Sequence, residues 1–201
     1  SNTWSAKPNL PGLERHHPFY FGIGNYAYVG MGHGTLPGPG TNPNTGVNIY
    51  TDFYRYDPVN STWQRLGDFP GEARVAGTQF SYNGKGYVLS GDGDNHGPLD
   101  NGEMWSYSPG TDSWSQLPAH PGNAIWAPGN FVIDCSVYFL LGQDNVVSAL
   151  PTSVYTYKLG EECGCTNPAA LNYSAQAIYD DGSCCFIGGC TARDAANYDP
   201  N

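Results

Sequence analysis

A short segment built around a tryptophan occurs three times, and this repeat restricts the possible folds more than any other feature. The copies read SNTWSAKPNLPG, NSTWQRLGDFPG and TDSWSQLPAHPG. Trp4, Trp63 and Trp114 lie 59 and 51 residues apart, and the Pro-Gly pairs that end the copies keep the same spacings. A fixed period of about 50 residues indicates that one supersecondary unit is repeated along the chain.

Each period contains segments with the character of β-strands. In the second period VAGTQFSYN and GYVLSGD are separated by a turn, and GEMWSYSP follows a longer polar loop. Aromatic and β-branched residues bounded by Gly, Asn and Asp predict a hairpin and then a third strand. The tryptophan segment supplies a fourth strand. Four antiparallel strands per period are typical of one blade of a β-propeller.

The composition agrees with an all-β protein and excludes some partners. The chain has 27 glycines and 16 prolines, and aromatic residues (14%) outnumber charged ones (13%). Such a composition favours short strands and tight turns over helices. The net charge of −10 disfavours nucleic acid and anionic lipid. No apolar run reaches the length of a membrane helix, so direct membrane insertion is not expected.

Residues 1–159 resemble the kelch family, in the form common in secreted Bacteroidota proteins. The resemblance rests on the period, the paired Trp and Pro-Gly, the corner Tyr56-Asp57-Pro58, and Arg15 and Arg74 at matching positions. Two departures are the missing Gly-Gly doublet and Ile125 in place of a third Arg. The resemblance implies three four-stranded propeller blades, in repeats of approximately 1–59, 60–110 and 111–159.

Three blades are too few to close a propeller, which needs about four to eight. The sequence begins in a tryptophan segment and its last strand, SVYTYKL, has no fourth strand after it. In kelch propellers a strand from one chain end often completes the blade at the other. We therefore expect further blades upstream, a homo-oligomeric ring of two chains, or a fibre in which the N-terminal strand passes to the next subunit.

Residues 160–201 have a different composition, and five of the six cysteines lie between Cys163 and Cys190. This segment resembles the GCT…NY…DDGSC tandem repeats of large secreted Bacteroidota proteins, with the second copy truncated. So short a module needs disulfides to offset its ordering entropy. The preferred pairs are Cys165 with Cys184 and Cys163 with Cys185, among many possible connectivities. Cys135 is expected to be a buried free thiol.

The same segment contains a motif that suggests a metal. Asp180 and Asp181 stand beside a turn glycine, and with Asn172 they could provide oxygen ligands for Ca²⁺. The alternative is an Asx-type turn that leaves its carboxylates in water. No other cofactor is expected.

The long loops between the second and third strands of each blade must share one face of the propeller. His33, Tyr50, Asp94, His96 and Asn145 lie in or beside these loops and are the candidate ligand contacts. Aromatic rings, amides and carboxylates suit a glycan, although a surface protein is also considered.

The resulting hypothesis is a secreted or surface-anchored, non-enzymatic binding protein with a cysteine-rich stalk, because dense cysteines indicate an oxidising compartment. Two alternatives are a structural subunit of an extracellular fibre and a kelch carbohydrate-active enzyme. The family includes galactose-oxidase-like copper enzymes and sialic acid mutarotases. The copper site is a poor fit, since Cys135 is the only cysteine in the predicted blades, and no catalytic residues are predicted.

Overall fold

The computed structural model describes residues 2–42, 48–93, 97–133, 135–160, 163–180 and 183–186. Every regular element in these ranges is a β-strand, as predicted for an all-β fold. Within the same ranges the structure contains no helix with the length and apolar character required to cross a lipid bilayer.

The first blade is an antiparallel sheet of four strands in the order β1-β2-β5-β6. Its long β2–β5 connection contains a small hairpin of two further strands, β3 and β4. The bounds are β1 Phe19–Ile23, β2 Tyr26–Gly30, β3 His33–Gly34, β4 Asn48–Ile49, β5 Phe53–Asp57 and β6 Thr62–Arg65. The tryptophan segment around Trp63 is the outermost strand, as the repeat predicted.

The second blade repeats this order with β7-β8-β9-β10. Asn83 and Gly84 form its first turn, and both have positive φ angles (45° and 70°) that suit a two-residue hairpin. The bounds are β7 Thr78–Tyr82, β8 Lys85–Leu89, β9 Gly102–Ser108 and β10 Ser113–His120. The third blade has three strands among the described residues: β11 Gly129–Ile133, β12 Ser136–Leu140 and β13 Val154–Lys158.

Consecutive blades are joined by main-chain hydrogen bonds that recur at matching positions. Gly32 N–H donates to the carbonyl of Arg74, and Gly91 N–H donates to the carbonyl of Ile125, each at 3.0 Å. Nearer the axis, Ala76 N–H donates to the carbonyl of His17 at 3.4 Å, and Ala127 N–H donates to that of Ala76 at 2.6 Å. The link therefore depends on backbone geometry.

An aromatic cluster fills the space between the first two blades. Phe21 lies at its centre, in contact with Tyr107 and Trp114 of the second blade. The whole cluster consists of Phe19, Phe21, Tyr28, Met31, Phe53, Leu66, Phe69, Val88 and Tyr107, with Trp105 and Trp114 packed against it. The paired tryptophans and tyrosines of the repeat thus serve to bury the face that a single blade could not bury.

The chain divides into two compact units. One comprises Ser1–Asn130 and Phe139–Tyr155, and the other comprises Phe131–Tyr138 and Thr156–Asn201. The predicted boundary between residues 159 and 160 stays a prediction. The second unit contains a short parallel pair, β14 (Cys163–Gly164) with β15 (Tyr179–Asp180).

Two disulfides join pairs of described cysteines in the second unit. Cys165 is joined to Cys184, which is the pair preferred from the sequence. Cys163 is joined to Cys135, so the predicted Cys163–Cys185 pair and the predicted free thiol at Cys135 are both wrong. The Cα atoms of Cys135 and Cys163 lie 5.8 Å apart, inside the range that a disulfide spans, although 28 residues separate them in sequence. Cys185 is also disulfide-bonded.

Candidate functional site

An open pocket lies on the propeller axis, where the chain enters the innermost strand of each blade (β1, β7 and β11). The pocket has a volume of about 400 Å³ and is lined by His17, Pro18, Tyr20, Ala76, Gly77, Gln79, Ala127 and Pro128. It lies at the end of the blades that carries the long β2–β5 connection, opposite the tight β1–β2 turn. A volume of a few hundred Å³ is typical of small-ligand sites.

Three histidines are in contact beside this pocket. His16 Nε2 lies 2.8 Å from His33 Nδ1, and His16 Nδ1 lies 3.1 Å from His17 Nδ1. Each nitrogen pair shares one proton, so the tautomer of His16 determines the direction of both hydrogen bonds. The ring of His17 also meets the ring of Trp126 edge-on at 6.0 Å. The cluster offers imidazole donors and acceptors close to the axis.

The histidines do not form a metal site. His16 uses different ring nitrogens for its two neighbours, so the three side chains do not converge on one point. Among the residues that the structure describes, no group of three or more His, Cys, Asp or Glu is arranged to hold a metal ion.

A buried ion pair supports the loop that carries His33. Arg15 binds both carboxylate oxygens of Asp52, at 2.6 and 2.8 Å, and also donates to the carbonyl of Met31. Its guanidinium lies over the ring of Tyr50, 4.8 Å from the centroid. The bidentate pair and the stacked ring fix the start of the first blade.

Tyr50 was predicted to contact a ligand, and the structure corrects this. Its side chain is fully buried (0% exposed), and its hydroxyl donates to the carbonyl of Leu36 at 2.7 Å. Burial raises the pKa of the Tyr50 hydroxyl. The tyrosine therefore supports the loop from inside, where a ligand cannot reach it.

The ion pair recurs in the second blade and is lost in the third. Arg74 is fully buried and donates to Glu103, and its guanidinium lies over Phe69. Burial alone would raise the pKa of the Glu103 carboxyl, but hydrogen bonds from Arg74 and Trp105 outweigh it and hold that pKa below its usual range. In the third blade Ile125 and Ser153 occupy the equivalent positions.

A small cavity lies at the place of the missing pair. Its volume is about 70 Å³, and Ile125 and Ser153 are among its lining residues, with Phe139, Leu141 and Asp144. Asp144 also accepts a hydrogen bond from Asn123 at 3.0 Å. The loss of both charged partners in one repeat explains why neither charge is stranded there.

The other predicted contacts have different outcomes. Asn145 donates to both carboxylate oxygens of the buried Asp92, at 3.0 and 3.3 Å, and so ties the third blade's loop to the second blade's loop. His33 belongs to the histidine cluster. Asp94 and His96 lie outside the described residues, so their roles stay predictions.

The predicted calcium ligands are not brought together as a site in the described residues. The side-chain amide of Asn172 donates to the carbonyl of Ser183, and its oxygen accepts from the amide of Cys185, so both ends serve the local fold. Asp180 accepts from Thr166. Asp181 lies outside the described residues, and calcium binding stays a prediction.

Sequence reasoning missed His17, Tyr20 and Gln79 as pocket residues, and His16 as their neighbour. The repeat contained a usable signal, because His17 aligns with Ala76 and Ala127, each two residues before the innermost strand of its blade. These three residues share a left-handed backbone, with φ of 48°, 53° and 49°. Positions aligned by the repeat converge on the axis, even when their side chains differ.

Comparison with known proteins supports the fold. The chain is 27% identical over 139 residues to an N-acetylneuraminate epimerase of Yersinia enterocolitica, covering 63% of this chain and 31% of that protein. An N-acetylneuraminate epimerase of Brucella suis is 32% identical over 101 residues, covering 47% and 22%. A putative F-box/kelch-repeat protein of Arabidopsis thaliana is 28% identical over 110 residues, covering 53% and 30%. No protein-family model matches the sequence.

A solved structure gives the same result. The structure of YjhT superposes with a TM-score of 0.66 at 18% identity, covering 78% of this chain and 53% of that one. The chain thus spans about half of that structure and less than a third of the curated relatives. At this identity the likeness shows the fold alone.

Proposed function

Because the chain folds as blades of a kelch-type β-propeller, we propose that it is a non-enzymatic binding module whose axial pocket recognises a glycan. The observation that carries the proposal is the pocket of about 400 Å³ beside the three histidines. Fold alone does not decide function in propellers, so the argument depends on the side chains of this pocket.

The pocket's side chains suit a sugar. Tyr20 is well exposed and offers an aromatic ring for the apolar face of a pyranose. Gln79 offers an amide that can donate to and accept from hydroxyl groups, and His17 adds an imidazole. Rings combined with a few convergent polar groups are the usual composition of small-ligand sites.

An acidic sugar is the first ligand to test. Two relatives are named for N-acetylneuraminate, which carries a carboxylate. Although the chain as a whole is acidic, the described lining of the pocket contains no carboxylate that would repel an acidic sugar, and His17 and Gln79 can donate hydrogen bonds to it. We therefore expect N-acetylneuraminate to bind more tightly than neutral N-acetylglucosamine.

Binding rather than catalysis is favoured by the same lining. Its described residues include no Asp, Glu, Ser or Cys that could pair with His17 as an orienting acid or a nucleophile, so a catalytic pair is not present among them. A location outside the cell is supported by the two disulfides, because such bonds persist in oxidising compartments.

Titration calorimetry with N-acetylneuraminate and with neutral N-acetylglucosamine tests the proposal. His17→Ala and Tyr20→Ala should each weaken binding about tenfold or more, since each removes a direct contact. Lys85→Ala is the matched control, because Lys85 is exposed at the turn end of the second blade. Absence of binding to either sugar, or binding that both pocket variants leave unchanged, would contradict the proposal.

The epimerase relatives favour one rival function, a sugar-converting enzyme. The interconversion of N-acetylneuraminate anomers can be followed by NMR with and without the chain. Acceleration that His17→Ala abolishes would replace the binding proposal by an enzymatic one.

A further inference from the structure

The innermost strands of the three blades carry a polar side chain at the same position. Tyr20, Gln79 and Asn130 are the second residues of β1, β7 and β11. Tyr20 and Gln79 belong to the described lining of the axial pocket, whereas Asn130 does not. The repeat therefore brings one aromatic ring and one amide to the pocket from equivalent positions of two blades.

The two amides at this position have different uses. Asn130 donates through Nδ2 to the carbonyl of Gln79 at 3.0 Å and also to the hydroxyl of Thr78. Its amide thus ties the third blade to the second and holds the backbone of Gln79. The side chain of Gln79 is one methylene longer and makes no hydrogen bond to any other described residue. Its two N–H donors and its carbonyl oxygen are therefore available to a ligand.

His17 presents a second polar group to the pocket, from the first blade. Its Nδ1 lies 3.1 Å from His16 Nδ1, whereas its Nε2 has no hydrogen-bond partner within the part of the chain that the structure describes. In a neutral imidazole one ring nitrogen donates and the other accepts, so Nε2 takes the role that Nδ1 leaves to it. The amide and the imidazole thus face the pocket from two different blades.

The lining around these two groups is mostly small and apolar. Ala76 and Ala127 contribute methyl groups, and Pro18 and Pro128 contribute rings. These four side chains neither donate nor accept hydrogen bonds. The pocket therefore suits a ligand group that combines a small apolar part with a donor and an acceptor that point in different directions.

An acetamido group has this composition. Its N–H and its carbonyl lie on opposite edges of a trans amide, and it ends in a methyl group. We infer that the pocket selects sugars that carry an acetamido group, and that Gln79 is the residue that determines this specificity. Gln79 bonds one edge of the acetamido amide, His17 Nε2 bonds the other edge, and the methyl group packs on the alanines and prolines. The inference rests on the proposed glycan binding.

A hydroxyl group at the same carbon of the sugar is a poorer match. It is too small to reach both Gln79 and His17, and it buries no methyl group. The test therefore compares N-acetylneuraminate with its analogue that has a hydroxyl in place of the acetamido group. Both sugars keep the carboxylate, so the comparison isolates the acetamido group. In titration calorimetry the analogue should bind about tenfold more weakly.

Two variants of Gln79 assign this preference to its amide. Gln79→Leu keeps a side chain of similar size without donors or an acceptor, so it should weaken the binding of N-acetylneuraminate about tenfold and leave the analogue nearly unchanged. Gln79→Asn keeps an amide but draws it back by one methylene, and should also remove the preference. Ser81→Ala is the matched control, since Ser81 is exposed on the same face of β7 and lies outside the pocket lining.

The melting temperature of each variant checks that it is folded, and Gln79→Asn carries the test if Gln79→Leu is unstable. Equal affinities of the wild type for the two sugars would overturn the inference, as would a preference that both Gln79 variants retain. In either case the proposed function would stand as long as His17→Ala and Tyr20→Ala still weaken binding. Absence of binding to any of the sugars would contradict the inference and the proposed function together.

Discussion

Arginine at the start of a blade is buried only where an acid is present to receive it. Arg15 has Asp52 and Arg74 has Glu103, while the third blade replaces both members by Ile125 and Ser153. A guanidinium without its carboxylate would be an uncompensated charge in the interior, which costs several kcal/mol. The repeats therefore keep or lose the pair as a unit.

Removal of one member of the Arg74–Glu103 pair should lower the free energy of unfolding more than removal of both members. Glu103→Ser should lower the free energy of unfolding by about 3–5 kcal/mol, because Arg74 is left buried without a carboxylate. Arg74→Ile combined with Glu103→Ser copies the third blade and should recover part of that loss. Urea unfolding of both single variants and the double variant gives the coupling free energy. Additive losses would contradict the interpretation.

His120 makes the stability of the protein depend on pH, an effect that the equivalent residue of the second blade, Phe69, cannot have. It occupies the position of Phe69, stacks on Phe139 at 4.1 Å, and lies 3.1 Å from Ser90 Oγ. Burial lowers the pKa of His120, and the hydrogen bond to the Pro121 carbonyl only partly opposes this. As pH falls below about 6.5, the unfolded chain therefore binds a proton before the folded chain does, and stability declines.

We expect His120→Phe to remove part of this acid sensitivity while keeping the aromatic contact that the second blade makes with Phe69. The measurement is the melting temperature of both proteins at pH 7.5 and pH 5.5. The melting temperature of the wild type should fall more between the two pH values than that of the variant. Equal losses would show that other groups cause the acid sensitivity.

At the scale of the strands, a glycine sets how closely the first two blades approach. Gly86 lies in β8, and a Cβ atom at this position would overlap the ring of Phe21 in β1. The space is thus taken by an aromatic side chain from the neighbouring sheet. Interdigitation of this kind fixes the register between blades as well as their distance.

Gly86→Ala should lower the free energy of unfolding by about 1–3 kcal/mol, because an overpacked interface forces Phe21 from its rotamer. Gly110→Ala is the matched control, since no heavy atom lies within 4 Å of its added Cβ and its φ is not positive. Chemical denaturation measures both. A Gly86→Ala protein as stable as the control would show that Phe21 can move at little cost.

The sequence predicted elements well and long-range pairings poorly. The tryptophan period and the turn residues predicted the order of strands in the first two blades, because these signals are local. The Cys135–Cys163 disulfide and the meeting of His16 with His33 depend on how distant segments converge. Tyr50 was mistaken for a surface residue because its loop position does not reveal the arginine stacked on it.

At the scale of the whole molecule, the main-chain hydrogen bond from Gly32 or Gly91 to the next blade has a consequence for how such proteins evolve. The donor and the acceptor are both peptide groups. A duplicated gene segment that encodes one more period would therefore form the same hydrogen bonds to its neighbours. Natural selection could lengthen or shorten the series without inventing a new pair of matched side chains. The number of blades is then limited by the rotation that each blade adds about the axis, because these rotations must sum to one full turn for the ring to close.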